Sequence, residues 1–287
     1  MERAEPDLVH AMRVPFEGML AAAAVRKQPL AISIWGNDFT LHAVSSPLMR
    51  RRTRQAMKKA TALHADCRRD VRLAEEWGLR PALPSIVVPG NGGVRTDIFN
   101  MQGGLARDPV VLNPRGSRVY VRNDTFFRAI PLILARRPEA RFICASMAGD
   151  SQAGALIRQL SIGHAVELLD PVPQSEMAAI YRRAQVLVSP STHDGTPNTL
   201  LEGMACGCFP VAGDLESVRE WITHGHNGLL IDPTSPESLA EAVLIALDRE
   251  DLRREAAGLN SSLVSTRAEF SQCMARVCEF YQGVARS

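Results

Sequence analysis

The chain of 287 residues is 46% hydrophobic and 22% charged with a net charge of only +2, which excludes both a disordered polymer and the strongly basic field of a typical nucleic-acid binder. No run approaches the roughly 18 consecutive apolar residues that cross a bilayer, and residues 1–10, MERAEPDLVH, lack the basic and apolar regions of a secretory leader. The six cysteines, Cys67, Cys144, Cys206, Cys208, Cys273 and Cys278, have neither zinc-finger nor redox spacing, so reduced, mostly buried thiols in the cytoplasm are expected.

In chain order, short apolar runs predict strands at 8–10, 30–35, 61–64, 85–88, 110–113, 141–145, 165–168, 185–189, 209–212 and 228–231. Amphipathic stretches such as 124–135 and 236–247 lie between them, the alternation of a parallel sheet covered by helices on both faces. The glycine- and proline-containing segment IFNMQGGLARDP, residues 98–109, sets the expected division into a first domain of residues 1–104 and a second of residues 105–287 with a helical tail. The predicted helix LMRRRTRQAMKKA, residues 48–60, carries six basic residues. A solvated helix face explains them, and attraction to an anionic membrane surface is the alternative. No aromatic side chains interleave the charges as a nucleic-acid surface would require.

The stretch STHDGTPNTLLEGMACGCFPVAG, residues 191–213, concentrates the chemistry. QVLVSPS reads as a strand ending at Ser189, Pro190 and Ser191, and PNTLLEGMACG as a helix with Pro197 in its first turn and Gly207 near its stop. THDGT between them then lies at the carboxyl edge of the sheet, where α/β proteins bind ligands. Amides near Asn198, Thr199 and Leu200 are expected to face that space and suit a phosphate. Carboxylates repel phosphate, so Asp194 and Glu202 are better explained as acceptors for sugar hydroxyls. A nucleotide sugar accounts for the acids and the amides together.

This block resembles the Glu-x7-Glu signature of retaining glycosyltransferases of family 4, with Asp194 at the first acid and Glu202 at the second. The resemblance extends through VREWITHGHNGLLIDPTSPESLAEAV and covers residues 108–250. It implies a GT-B-like α/β fold of two Rossmann-like, doubly wound parallel-sheet domains. It also implies that Asp194 binds the transferred sugar, that Glu202 binds the ribose, and that Gly195, Thr196, Asn198, Thr199 and Leu200 line the donor. In VVLNPRGSRVYVRNDTFF, Arg115 matches the family's arginine and Arg122 its lysine at the leaving diphosphate, with Arg118 the rival for either. Guanidinium is a planar fork rather than a point charge, so the second exchange is not neutral. The resemblance implies a UDP- or GDP-sugar donor, no prosthetic group and no metal, and no Asp-x-Asp metal signature is evident.

PDLVHAMR, LAISIWGNDFTLHA, ATALHADCRRDVRLAEEWGL and SIVVPGNGGVRTDIF resemble the later part of the family's acceptor domain. Trp35 stands where the family has a cleft histidine; indole has no basicity but can stack on a sugar. Asp38 is the nearest acid for an acceptor contact, with helix capping as its other role, and His10 is a strand-end histidine with a structural or a site role. Family members begin with further strand–helix units, so the first domain is expected to be incomplete, exposing an edge that a homo-oligomer or a partner chain would cover. The leading expectation is transfer of a sugar, with retention of configuration, to a saccharide, lipid-linked or small-molecule acceptor, in the cytoplasm and with peripheral contact at the inner membrane face. The alternatives are an inactive nucleotide-sugar-binding module acting with a partner, and a nucleotide-sugar epimerase of similar architecture.

Overall fold

The computed structural model describes residues 6–286. The chain runs through β1 (Val9–Ala11), α1 (Met19–Ala24), β2 (Leu30–Ile34), α2 (Pro47–Lys59), β3 (Ala62–Ala65), α3 (Arg68–Glu76) and β4 (Ser85–Val87). It continues through β5 (Val110–Asn113), α4 (Asn123–Leu134), β6 (Arg141–Cys144), α5 (Ser151–Gln159), β7 (Val166–Leu168), α6 (Gln174–Arg183) and β8 (Val186–Ser189). The last elements are α7 (Asn198–Ala205), β9 (Phe209–Gly213), β10 (Leu229–Ile231), α8 (Pro236–Asp248), α9 (Glu250–Arg267) and α10 (Phe270–Arg286). All the expected strands form, and the architecture is the α/β one expected from the alternation.

Local chemistry sets the helix starts. The Ser46 hydroxyl accepts from the Met49 amide to open α2, Asp150 accepts from the Gln152 and Ala153 amides to open α5, and Ser235 accepts from the Ser238 amide ahead of Pro236 in α8.

Two parallel sheets form. The first has the order β1-β2-β3-β4, and the second the order β10-β9-β8-β5-β6-β7. In the second sheet the chain starts at central β5, builds outward through β6 and β7, then returns to lay β8 on the other side of β5. The strand order therefore reverses between β5 and β8, and a doubly wound sheet binds its ligand at the carboxyl end of such a switch point. Phe126, Phe127 and Ile130 of α4 and Leu239 and Val243 of α8 pack on one face of this sheet. Tyr181 of α6 and Leu200, Leu201 and Met204 of α7 pack on the other.

The chain divides into two compact units, the first comprising Met1–Gly93, His193–Thr196 and Phe270–Ser287, and the second Val94–Thr192 and Pro197–Glu269. This differs from a cut between residues 104 and 105. The 98–109 segment is tied into the second unit: Arg182 donates to the Ile98 and Asn100 carbonyls at 2.6 and 2.9 Å, and Gln185 to the Arg107 carbonyl at 2.7 Å. The last helix, expected in the second domain, belongs to the first unit. One face of the first sheet packs Ile32, Ile34 and Leu63 with residues of α1, α2 and α3. Its other face presents Ala31, Ala62, Ile86 and Val88, and α10 covers it with Cys273, Val277, Phe280, Tyr281 and Val284. Five of the cysteines are buried, Cys278 is exposed, and all are free thiols.

Candidate functional site

In the second unit, the loops after β5 and β8 meet at the switch point. Asn113, fully buried at the end of β5, shapes the first loop: its Oδ1 accepts from the Arg115 amide at 3.2 Å, and its Nδ2 donates to Asn123 at 2.9 Å. Arg115 then reaches Ser191 Oγ at 3.4 Å, with its guanidinium 5.7 Å from the Tyr120 ring centre. The Arg122 amide donates to the Pro190 carbonyl at 3.0 Å, and Val121 bridges Ser191. Both arginines therefore sit beside the end of β8. The Arg122 fork, however, is engaged by Asp124, Nε to Oδ1 at 2.9 Å and Nη2 to Oδ2 at 2.8 Å. Arg118 is exposed.

Glu202 lies on the second turn of α7, half-buried. Tyr181, fully buried on α6, donates its hydroxyl to Glu202 Oε2 at 3.2 Å. Burial pushes the Glu202 carboxyl above its ordinary range, and the Tyr181 hydrogen bond opposes that shift. α7 can sit this close to β8 because residue 203 is glycine: a Cβ there would lie 2.6 Å from Leu187 Cδ2. At the start of α7, Asn198 Oδ1 is buried and has no hydrogen-bond partner among the described residues. The Leu200 amide is not free, in contrast to the expectation for that residue; it donates to the Pro197 carbonyl at 3.0 Å, because the helix tightens after proline.

His193–Thr196 is held within the first unit. Arg69 donates to the Asp194 carbonyl at 2.8 Å and to the Gly36 carbonyl at 2.7 Å. The Thr196 amide donates to Asp66 Oδ2 at 3.3 Å and its hydroxyl to the Asp66 carbonyl at 2.7 Å. Gly36 lies against the Gly195 backbone, which a Cβ on Gly36 would overlap, and a Cβ on Gly195 would overlap the Asp66 carboxylate. Gly195 and Thr196 are thus buried anchors of this loop, not surfaces open to a donor. Both residues are expected from the resemblance to line the donor; the Thr196 amide instead donates to Asp66.

Asp66, Arg69 and Asp70 escaped sequence reasoning, because HADCRRD resembles any charged helix start. In the structure Arg69 pairs with Asp70 at 2.7 Å, both buried. Burial, then the charge of Asp70, holds the Asp66 carboxyl well above its usual range. Asp66, Cys67 and Asp70 offer ligand atoms within 4.8 Å of one another, the geometry of a small cation site. Arg69 already supplies a positive charge there, and Asp66 Oδ1 and Asp70 Oδ2 are buried without a hydrogen-bond partner among the described residues.

Trp35 is 36% exposed, with the Arg13 guanidinium 5.7 Å from its ring centre. Asp38 is no acceptor contact. It is 1% exposed, and its oxygens take Arg13 Nη2 at 2.8 Å and Nε at 3.3 Å, the Val14 amide at 3.1 Å and the Trp35 amide at 3.3 Å. With every lone pair engaged, it orders the Trp35 loop. His10 belongs to a polar cluster in the first unit with Ser33, His64 and Tyr281. A wider cavity of about 800 Å³ in the second unit opens beside Pro109 and Gln185, at the amino ends of β5 and β8 and so at the edge opposite the switch point.

Two parallel-sheet units, one of them doubly wound, define a GT-B-type α/β protein. A model described as a glycosyl transferase 4-like domain matches residues 1–92, and one described as glycosyl transferases group 1 matches residues 117–249. The chain belongs to this glycosyltransferase family, family 4. It is 31% identical over 221 residues to a D-inositol 3-phosphate glycosyltransferase of Thermobispora bispora, covering 70% of this chain and 51% of that relative. It is 29% identical over 233 residues to the protein of the same name in Thermomonospora curvata, covering 74% and 54%. The chain thus spans about half the length of these curated relatives. Among solved structures, Anabaena HepE in complex with UDP-glucose superimposes with a TM-score of 0.81 at 17% identity, covering 96% of this chain and 79% of that one. Sucrose-phosphate synthase from Thermosynechococcus elongatus gives 0.79 at 16% identity, covering 98% and 74%. At such identities these two show the fold alone.

Proposed function

We propose that the chain binds a nucleoside diphosphate sugar and transfers the sugar to an acceptor with retention of configuration. The observation that carries this reading is Glu202, a half-buried acid held by the Tyr181 hydroxyl on α7, the helix that follows β8 in a doubly wound sheet. Glu202 would accept from ribose hydroxyls, the Asn198 and Thr199 amides would take phosphate oxygens, and Asn198 Oδ1 would accept from a donor hydroxyl or amide. Asp194 is assigned to the transferred sugar on its position in the signature. Arg115 and Arg122 would face the leaving diphosphate, where preorganised positive charge stabilises charge that builds as the glycosidic bond breaks. That chemistry needs no metal. UDP-glucose in the HepE complex and the glycosyltransferase names of the relatives support the donor class. Among the described residues no helix is long and apolar enough to cross a membrane. Membrane contact, if the acceptor is lipid-linked, is assigned to the exposed Arg50, Arg51, Arg52, Arg54, Lys58 and Lys59 of α2.

Calorimetry with UDP-glucose and GDP-mannose tests the donor site. Glu202→Ala should weaken binding by about 1.5–3 kcal/mol, the scale of a hydrogen bond to a charged group. Unchanged affinity in a folded variant removes Glu202 from the site. The engaged Arg122 fork and the non-basic Trp35 favour a second reading, a donor-binding module without turnover. Binding of the donor with neither hydrolysis nor transfer would establish it, and turnover would reject it.

A further inference from the structure

The first unit contains a cavity of about 240 Å³ at the carboxyl edge of its sheet. Three neighbouring strands put one polar residue each on the same sheet face: His10 on β1, Ser33 on β2 and His64 on β3, with Ala31 opposite His10 and His64 opposite Ser33. Tyr281 of α10 closes over them. Its hydroxyl lies 2.7 Å from His64 Nδ1 and 3.0 Å from His10 Nε2, and His10 Nε2 lies 2.7 Å from Ser33 Oγ. The rest of the lining is mainly apolar, with Met12, Trp35, Val88, Met274 and Val277.

Charge decides what such a cavity accepts. Burial lowers the pKa of both His10 and His64, the latter to about 4, so both rings are neutral at pH 7. None of the described lining residues is Lys or Arg, and the nearby Arg13 and Arg69 are paired with Asp38 and Asp70. Asp66 at the rim adds a carboxyl, which repels an anion whenever it ionises. The two hydroxyl oxygens have two lone pairs each, and each neutral ring nitrogen has one lone pair or one hydrogen, so lone pairs remain for the hydrogen of an incoming hydroxyl.

We propose that this cavity binds an uncharged, largely apolar alcohol, with its hydroxyl on the Ser33–His10–Tyr281 cluster and its hydrocarbon body against Met12, Trp35, Val88, Met274 and Val277. The role of this alcohol as acceptor rests on the transfer reading; the ligand chemistry does not. The test is titration of the full chain, followed by Trp35 fluorescence, with menthol, myo-inositol and myo-inositol 1-phosphate. Menthol should bind in the millimolar range or tighter, as expected for so small a ligand. Both inositols should bind at least tenfold more weakly, and Trp35→Phe should remove the signal. Tyr281→Phe should weaken menthol at least tenfold without changing UDP-glucose affinity, and Met12→Trp, which fills the cavity from its rim, should abolish menthol binding if the tyrosine variant does not fold. Failure of menthol to bind, or tighter binding of myo-inositol 1-phosphate, overturns the proposal. Failure of both UDP-glucose and GDP-mannose to bind overturns the transfer reading alone.

Discussion

Asp38 and Glu202 are acids in poorly solvated places that do opposite work. Asp38 has a donor for every direction its carboxylate can accept from, so its charge is spent on holding the Trp35 loop. Glu202 has the single tyrosine hydroxyl, which aims it and leaves accepting capacity for a ligand. The same reasoning applies to His64, whose pKa falls to about 4 through burial and then the neighbouring His10. Between the ordinary value near 6.5 and about 4, the unfolded chain takes a proton that the folded chain refuses. Stability should therefore fall as pH drops through that window, by about 3 kcal/mol when complete. Urea melts at pH 7 and pH 4.5 should show this slope, and His64→Asn should flatten it. An unchanged slope in that variant would show that His64 is not the group responsible.

At the scale of elements, the approach of α7 to β8 sets the position of Glu202. Helix propensity alone favours Gly203→Ala by about 1 kcal/mol. A Cβ at 203 would nevertheless lie 2.6 Å from Leu187 Cδ2 and 3.3 Å from Tyr181 Cε1, the residue that aims Glu202. Overpacking of this kind costs about 1–3 kcal/mol, so the variant should be less stable in denaturant melts and bind UDP-glucose more weakly. A more stable variant would mean that α7 moves freely on β8. The strands themselves were legible because each is a short apolar run between turn residues, and the periodicity of a strand is local. The destination of α10 was not legible: its apolar stripe is equally suited to any open sheet face, and only the small residues Ala31 and Ala62 on the first sheet show which face it covers.

At the scale of the molecule, the first unit closes only with the chain's last helix. A chain ended at Glu269 would expose Ala31, Ala62, Ile86 and Val88. Hydrogen exchange should then show β1–β4 unprotected and β5–β10 still protected. Equal loss across both sheets would show that the two units fold as one. Composition and alternation by themselves determined an α/β protein, and the Asp194-to-Glu202 spacing pointed to the loop after β8 as the ligand site we propose, since each is a property of neighbouring residues. The tertiary structure alone decided that Asp38 is a strut, that the Leu200 amide is spent, that Thr196 is anchored on Asp66, and that Tyr281 meets His64 across 217 residues of sequence. Those outcomes depend on which groups the packing brings within hydrogen-bond reach, and separation along the chain carries no record of that.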